Sequence, residues 1–378
     1  MKNTRFNIPN IKKTVIDKDM VQNRNCENFI GAIQVPLGLA GPLTINNPST
    51  ALRAGQQSTI NNFYIPLATT EGALVASVNR GCKATRLSGG VTTFVENIGA
   101  TRGPLFRVKN LAQGRNLIEF TKRNFTKLGE IACQNEPFIK LLKIDSQLVG
   151  KNVWLRLYFE TAEAMGMNMV TVASQRLADF IKQKLALNCL SLSGNYCVDK
   201  KASWLNFIQG RGKKVWAEAV IRKAIVKEVL KTSPEKIVQV VLKKSQLGSI
   251  ISGSLGFNGH FANIVAAIFL ATGQDLGHVV EGSLGITEAE VEANGDLYFS
   301  IYLPDLMVGT IGGGTGLPTQ KEALGILGLD KVEPGDSLFM AQIIGAAVLA
   351  GELSLTASLA AGQLARAHQR LGRGINNQ

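Results

Sequence analysis

Asp199, Lys200 and Lys201 stand in a row directly ahead of an apolar run, Trp204, Leu205, Phe207 and Ile208, that is expected to be buried. An ammonium at the edge of a core needs an anion, because burial penalises its charged form unless a counter-charge compensates. Asp199 can supply that anion, or a substrate carboxylate or oxyanion can. The competing reading is an exposed charged turn. Glu71 follows Thr69-Thr70, which reads as a helix start with Thr as N-cap and Glu71 in the first turn. There it does chemistry or only complements the helix dipole. Asn79, Arg80 and Lys83 continue that helix as a cationic face, suited to phosphate or to water. Asp275 closes an apolar helix that runs from His260 to about Thr272 and carries Asn263 inward. A carboxylate at a helix C-terminus opposes the macrodipole, and a local rule broken in this way points to function.

Other elements must hold these groups in place. Residues 1–28 are polar and read as a short helical arm, and 27–43 as extended segments with tight Gly/Pro turns. Residues 104–191 read as strand (105–108), helix (116–128), two strands (138–148, 153–159), helix (165–185) and a strand near Leu190. That β-α-β-β-α-β order is the one of a ferredoxin-like module. Its second helix opens with Met165-Gly166-Met167-Asn168-Met169: methionines as core filler, or a glycine that lets an anion approach backbone N–H groups. Residues 215–231 read as helix, 248–256 as a Gly/Ser-rich turn and 297–303 as a strand. The strand leads to Gly309-Thr310-Ile311-Gly312-Gly313-Gly314, which admits a close ligand but is not the G-x-G-x-x-G of a Rossmann site. A last helix, rich in Ala and Gly and suited to tight packing, spans 340–368 and delivers His368 to a polar tail.

The 378 residues suffice for two or three domains. Net charge is +13, with the basic residues scattered rather than in runs, which favours a phosphorylated small molecule over nucleic acid. The five cysteines are odd in number and widely spaced, and only three histidines are present; reduced thiols and no zinc or other metal site are expected. No signal-peptide core is evident, and Glu352 interrupts the apolar stretch at 346–361, so a soluble, cytoplasmic protein is expected.

From about residue 26 onward the chain resembles a class I 3-hydroxy-3-methylglutaryl-coenzyme A (HMG-CoA) reductase. The resemblance rests on six stretches in family order: Glu-Asn-Phe-Ile-Gly (27–31), Thr-Thr-Glu-Gly-Ala-Leu-Val-Ala-Ser (69–77), Met-Gly-Met-Asn-Met (165–169), Ser-Gly-Asn-Tyr-Cys-Val-Asp-Lys-Lys (193–201), Gly-Gln-Asp (273–275) and Gly-Thr-Ile-Gly-Gly-Gly-Thr (309–315). Thr-Thr-Glu-Gly and Asp-Lys-Lys suggest class I rather than class II. The resemblance implies an α+β fold, with a large coenzyme-A-binding catalytic domain (29–103 and 192–378) around a central apolar helix. A small ferredoxin-like cofactor-binding domain (104–191) is inserted in it, after the arm of 1–28. No membrane anchor is expected, and no Ser follows His368 within 369–378, so the family's inhibitory phosphorylation site is expected to be missing.

The implied activity reduces a thioester to an alcohol in two steps with a nicotinamide cofactor, giving mevalonate and coenzyme A. By resemblance Lys200 stabilises the oxyanion, Glu71 protonates the aldehyde oxygen, Asp275 couples the two, and His368 protonates the leaving thiolate. Arg102, Ser193, Asn195, Asp199, Lys201, Lys244 and Asn263 match the glutaryl pocket. Ser77, Asn79, Arg80, Lys83, Lys231 and His260 match coenzyme A contacts. Met165, Gly166, Met167, Asn168, Gly309, Thr310, Gly312, Gly313, Gly314 and Arg373 match the cofactor site. The resemblance also implies an active site between two subunits and a tetramer. NADPH users carry a Ser-Arg pair where this chain has Glu136 and Pro137; an acidic residue there suits the free ribose of NADH, so NADH is expected to be a competent donor beside NADPH. The alternative, a non-catalytic coenzyme-A- or nucleic-acid-binding protein, has no need of Glu71, Lys200, Asp275 and His368 together.

Overall fold

The computed structural model describes residues 16, 18–22, 25–46, 61–329 and 331–362. Eleven strands appear among them: β1 (Leu37–Asn46), β2 (Asn61–Ala68), β3 (Val91–Arg102), β4 (Leu105–Arg107), β5 (Lys140–Val149), β6 (Asn152–Glu160), β7 (Cys189–Ser191), β8 (Arg211–Ile221), β9 (Gly256–Phe257), β10 (Gly285–Val291) and β11 (Leu297–Leu306). The hydrogen-bonded order is β7-β4-β6-β3-β8-β11-β10-β9, with β1 on β2 and β3, and β5 on β6. The fold is mixed α/β. Strand β3 is the seam: Thr92 to Gly99 pair with β8, and Ala100 to Arg102 pair with β6. Two separate apolar clusters follow, one on each side of it.

The larger cluster surrounds the helix Asp336–Ala360, which is long and apolar enough to cross a membrane by length and composition. It is instead the core helix of the larger unit, with buried side chains on every face. Small residues allow the approach. A Cβ on Gly81 would lie 1.8 Å from the carbonyl oxygen of Ala350, so the helix Leu74–Leu87 packs backbone to backbone against it. Its N-terminus is capped from a distance: Glu163 accepts hydrogen bonds from Gly335 N (2.7 Å) and Ser337 N (2.6 Å). A carboxylate there satisfies orphan donors and complements the dipole.

The smaller unit has the expected order, with antiparallel strands arranged β7-β4-β6-β5. Its first helix is broken into Leu111–Arg123 and Phe125–Ala132 at Asn124. The second helix, Met167–Leu185, starts after Gly166 at φ 86°.

Several expectations are corrected. The first seven residues of the helix expected over 215–231 belong instead to central strand β8: Val215, Ala217, Ala219 and Ile221 point inward in strict alternation, and the period of two overrides the helix propensity of Ala-Glu-Ala. Helix begins only at Lys223. The helix near Glu71 starts at Leu74 with Ala73 at its N-cap, so Glu71 precedes the first turn; Thr69 Oγ1 accepts from Glu71 N in a local turn instead. Trp204 and Ile208 are 54% and 70% exposed, and only Phe207 of the pair-and-pair apolar run is buried, because the short helix Trp204–Gln209 turns one face outward. The stretch 248–256 contains a helical turn, Ser249–Ser252. Asp275 lies beyond the helix Phe261–Thr272 and caps the next turn, accepting from Gly277 N at 2.9 Å, a favourable position. The last helix ends at Ala360; His368 and Arg373 lie outside the described residues.

Candidate active site

The turn between β7 and the helix Trp204–Gln209 carries three non-glycine residues in the left-handed region: Asn195 (φ 63°), Val198 (φ 50°) and Lys200 (φ 58°). A β-branched residue at positive φ is a marked outlier, and such strain persists only where the surroundings over-determine it. Here Thr101 Oγ1 donates to Cys197 O (2.8 Å), Asn206 Nδ2 to Val198 O (3.0 Å) and Lys200 N to Glu281 Oε1 (3.0 Å). The outcome is that Lys200 Nζ meets Asp275 Oδ2 at 2.6 Å.

Behind this pair lies a buried charge network. Asp199 takes Arg102 Nη1 at 3.3 Å and Arg211 Nη2 at 2.8 Å. Arg211 Nη1 also meets Glu281 Oε1 at 2.8 Å, and His278 Nδ1 lies 2.6 Å from the same oxygen. Partial burial pushes the Asp275 carboxyl up, but hydrogen bonds from Lys200 and Gly277 N and the nearby charges hold it below the usual carboxylate range. Asp305, deeper still, goes the other way. Burial drives its carboxyl well above that range, with Glu281 and Asp199 adding to the push and Arg211 and Arg156 opposing it.

A cleft of about 700 Å³ opens in front, lined by Arg102, Asp199, Lys200, Asp275 and His278 on one side and by Met165 to Met169 and the 309–315 loop on the other. Its walls meet backbone to backbone. A Cβ on Gly309 would lie 2.3 Å from Met165 N, and one on Gly273 would lie 2.3 Å from Gly314 O. The Gln274 side chain clamps Gly309 twice, accepting from its N (3.0 Å) and donating to its O (2.9 Å). Gly312 and Gly313 have positive φ and open space where a Cβ would stand, leaving bare backbone beside the N-terminus of the helix Met167–Leu185. Such a surface fits an elongated anionic cofactor.

Of the expected residues, the cleft gathers Arg102, Asp199, Lys200, Asp275, Met165, Gly166, Met167, Asn168, Gly309, Gly312, Gly313 and Gly314. Thr310 is buried behind it, its N–H on Glu163 O at 2.8 Å. Glu71 is exposed and not in the lining, although it follows Ala68, which packs near the lining residue Leu270. Ser193 and Asn195 stand on the turn, and Lys201 Nζ turns back to Asp199 O at 2.9 Å. Arg80 is committed to Ser354 and Ser358, and Ser77 also bonds Ser354. Asn79 accepts from Gly41 N. Lys83, Lys231 and Lys244 are exposed. Asn263 is half-buried one turn from His260, whose N–H donates to the buried Glu352. Glu136 lies 4.0 Å from Arg176.

Sequence reading missed Arg211, Gln274, His278 and Glu281. The i,i+3 spacing of His278 and Glu281 was a usable signal. Arg211, between two glycines, offered none.

Comparison with known proteins finds relatives over nearly the whole chain. A sequence model described as hydroxymethylglutaryl-coenzyme A reductase matches residues 1–373. The chain is 49% identical over 364 residues to the 3-hydroxy-3-methylglutaryl-coenzyme A reductase of Methanocaldococcus jannaschii, covering 95% of this chain and 87% of that protein. It is 50% identical over 363 residues to that of Pyrococcus abyssi, covering 95% and 87%. Among solved structures, the class II reductase of Streptococcus pneumoniae bound to NADPH matches in fold with a TM-score of 0.68 at 20% identity, covering 88% of this chain and 87% of that one.

Proposed function

The chain belongs to the hydroxymethylglutaryl-coenzyme A reductase family of oxidoreductases, which fixes the reaction as the reduction of HMG-CoA to mevalonate, and from that premise we propose which residues carry the chemistry. The observation that carries the assignment is the 2.6 Å contact of Lys200 with Asp275 at the rim of a glycine-walled cleft. Each of the two reduction steps develops negative charge on a carbonyl oxygen, and Lys200 supplies the ammonium that stabilises it. Asp275, ionised, keeps Lys200 charged and aimed. The nicotinamide, when bound, supplies hydride; Met165 to Asn168 and Gly309 to Gly314 hold it. Glu71 protonates the aldehyde oxygen, and His368 protonates the departing thiolate.

Arg102, Ser193, Asn195, Asp199, Lys201, Lys244 and Asn263 serve the glutaryl end. Ser77, Asn79, Arg80, Lys83, Lys231 and His260 serve coenzyme A. Arg80 then acts by bracing its helix against the core helix, through its bonds to Ser354 and Ser358. The antiparallel order β7-β4-β6-β5 supports a ferredoxin-like cofactor domain at 104–191 within a catalytic domain of 29–103 and 192–378. The 49–50% identities to archaeal relatives, against 20% to a class II structure, support class I.

Exposure of Glu71 away from the cleft lining supports an active site completed by a second copy of the chain. An aromatic run from the sheet face onto the helix Trp204–Gln209, Phe94–Trp216–Tyr302–Phe207–Trp204 with ring centroids 5.3 to 6.1 Å apart, offers it an apolar surface at Phe94 and Trp204. A dimer of dimers in the cytoplasm is the assembly and location we assign. Glu136 and Pro137 make NADH a competent donor beside NADPH. The test follows the loss of reduced-nicotinamide absorbance with HMG-CoA and each cofactor in turn. Oxidation of both, dependent on Lys200, is expected; no oxidation in the presence of HMG-CoA would overturn the assignment.

A further inference from the structure

We propose that His278 is a positioning residue that stores a proton behind the Lys200–Asp275 pair and hands it forward through Asp275. The inference rests on the assignment of Lys200 and Asp275 given above. His278 is wholly buried, three residues after Asp275 and three before Glu281. At 2.6 Å, its Nδ1 and Glu281 Oε1 must share a proton, since a ring lone pair and a carboxylate would otherwise face each other. That fixes Nδ1 and leaves Nε2 as the exchangeable position. Nε2 is buried, has no hydrogen-bond partner among the described residues, and lies 3.7 Å from Asp275 Oδ2, the oxygen that touches Lys200.

The surroundings tolerate the ring with or without its second proton. Asp275 faces it from the preceding turn, Glu281 from its own helix, and Asp199 at 3.9 Å from the strained turn. Lys200 stands behind Asp275, Arg211 of β8 binds both Glu281 and Asp199, and Arg102 of β3 binds Asp199. Asp305 of β11 lies beyond Arg211 and Glu281. The three cations balance the three ionised carboxylates without the ring, and an added proton on Nε2 lands among carboxylates rather than unpaired.

The transfer is a proton relay with no change of oxidation state at the protein. In the thioester step a proton leaves Lys200 Nζ for the new alkoxide oxygen, His278 Nε2 gives its proton to the ionised Asp275, and Asp275 passes it on to the neutral amine and is ionised again. The ring ends neutral, with its Nδ1–H still donating to Glu281 Oε1. It is recharged from solvent through Asp275, which is 38% exposed.

The experiment compares pH profiles of kcat, and KM for HMG-CoA, in the full-length enzyme and in Asp275→Asn and His278→Gln. Asp275→Asn is expected to lose turnover at every pH. His278→Gln is expected to keep KM within about twofold while kcat falls roughly tenfold to a hundredfold and the alkaline limb of its pH profile changes. A wild-type kcat profile in His278→Gln beside an inactive Asp275→Asn overturns the inference alone; an active Asp275→Asn overturns the assignment beneath it. Nitrogen NMR of the wild-type imidazoles, with only three histidines to resolve, covers the case in which the variant does not fold. One ring is expected to keep Nδ1 protonated while Nε2 titrates; an Nε2 that does not titrate overturns the relay.

Discussion

Lys200 meets Asp275 at 2.6 Å with side chains 43% and 38% exposed, whereas Arg211 meets Glu281 at 2.8 Å with both side chains wholly buried. The two pairs are joined, since the backbone N–H of Lys200 donates to the same Glu281 oxygen that Arg211 holds. Solvent screens the outer pair, so its bond adds little to stability and its ammonium stays available to a substrate oxygen. The inner pair has lost its hydration, and each partner depends on the other. Similar bond lengths therefore hide opposite duties: the inner pair keeps the strained turn in place, and the outer pair, in the role proposed above, works on what enters the cleft.

The largest effect should come from breaking the inner pair. Arg211→Ala leaves Glu281 and Asp199 without their shared cation, and loss of one buried partner costs about 3–5 kcal/mol. Urea unfolding should show that loss, and a shift near zero would mean water reaches the network.

Lys200→Ala should do the converse: turnover falls about two to three orders of magnitude, as for loss of an oxyanion donor, while the unfolding midpoint hardly moves. Because the Asp275 carboxyl is held below its ordinary value, the pair is intact above the unfolded carboxyl pKa of about 3.9 and is lost as pH falls through the lower, folded value. In the wild-type enzyme, turnover should therefore resist acid down to about pH 4.

A third pair sharpens the contrast. Arg176 and Glu136 are 4.0 Å apart and about one-third exposed. At an effective dielectric near 20, a carboxylate about 5 Å from a phosphate charge is opposed by roughly 3 kcal/mol, and even half of that is about a tenfold preference. Glu136→Ser with Pro137→Arg should shift kcat/KM toward NADPH by about that factor; a wild-type enzyme strongly preferring NADPH would show that Arg176 dominates.

The smallest effect is expected at Asp305. Its raised folded pKa means the native state holds a proton that the unfolded chain releases above about pH 3.9, so this group lowers stability as pH rises toward the folded value. Asp305→Asn keeps the bond from Asn206 Nδ2 and should flatten the dependence of Tm on pH above about pH 4 while costing little at neutral pH.

Much of the small unit was legible because its strands and helices each show one clear period, and their order limits the topology. The reading failed at β8, where alternating Val, Ala and Ile in a context of Ala and Glu satisfies helix propensity as well as a strand period. It failed again at Asp275, judged against the helix behind it rather than the turn it caps. Lys200 and Asp275 were found as separate motifs, whereas Arg211 was not, because nothing within ten residues of it in sequence explains a buried guanidinium.

By itself the sequence determined the chemistry on offer: which motifs occur, in which order, and so which family the chain joins. Local patterns also determined much of 104–191, since side-chain period and turn residues act over a few positions. Tertiary structure alone decided how Glu163 caps a helix whose N-cap lies 172 residues later, and how Glu281 sits between Lys200, Arg211 and His278. Charges acquire partners and burial only when the chain folds, and water, which screens the outer pair and is absent from the inner one, is distributed by packing rather than by residue type.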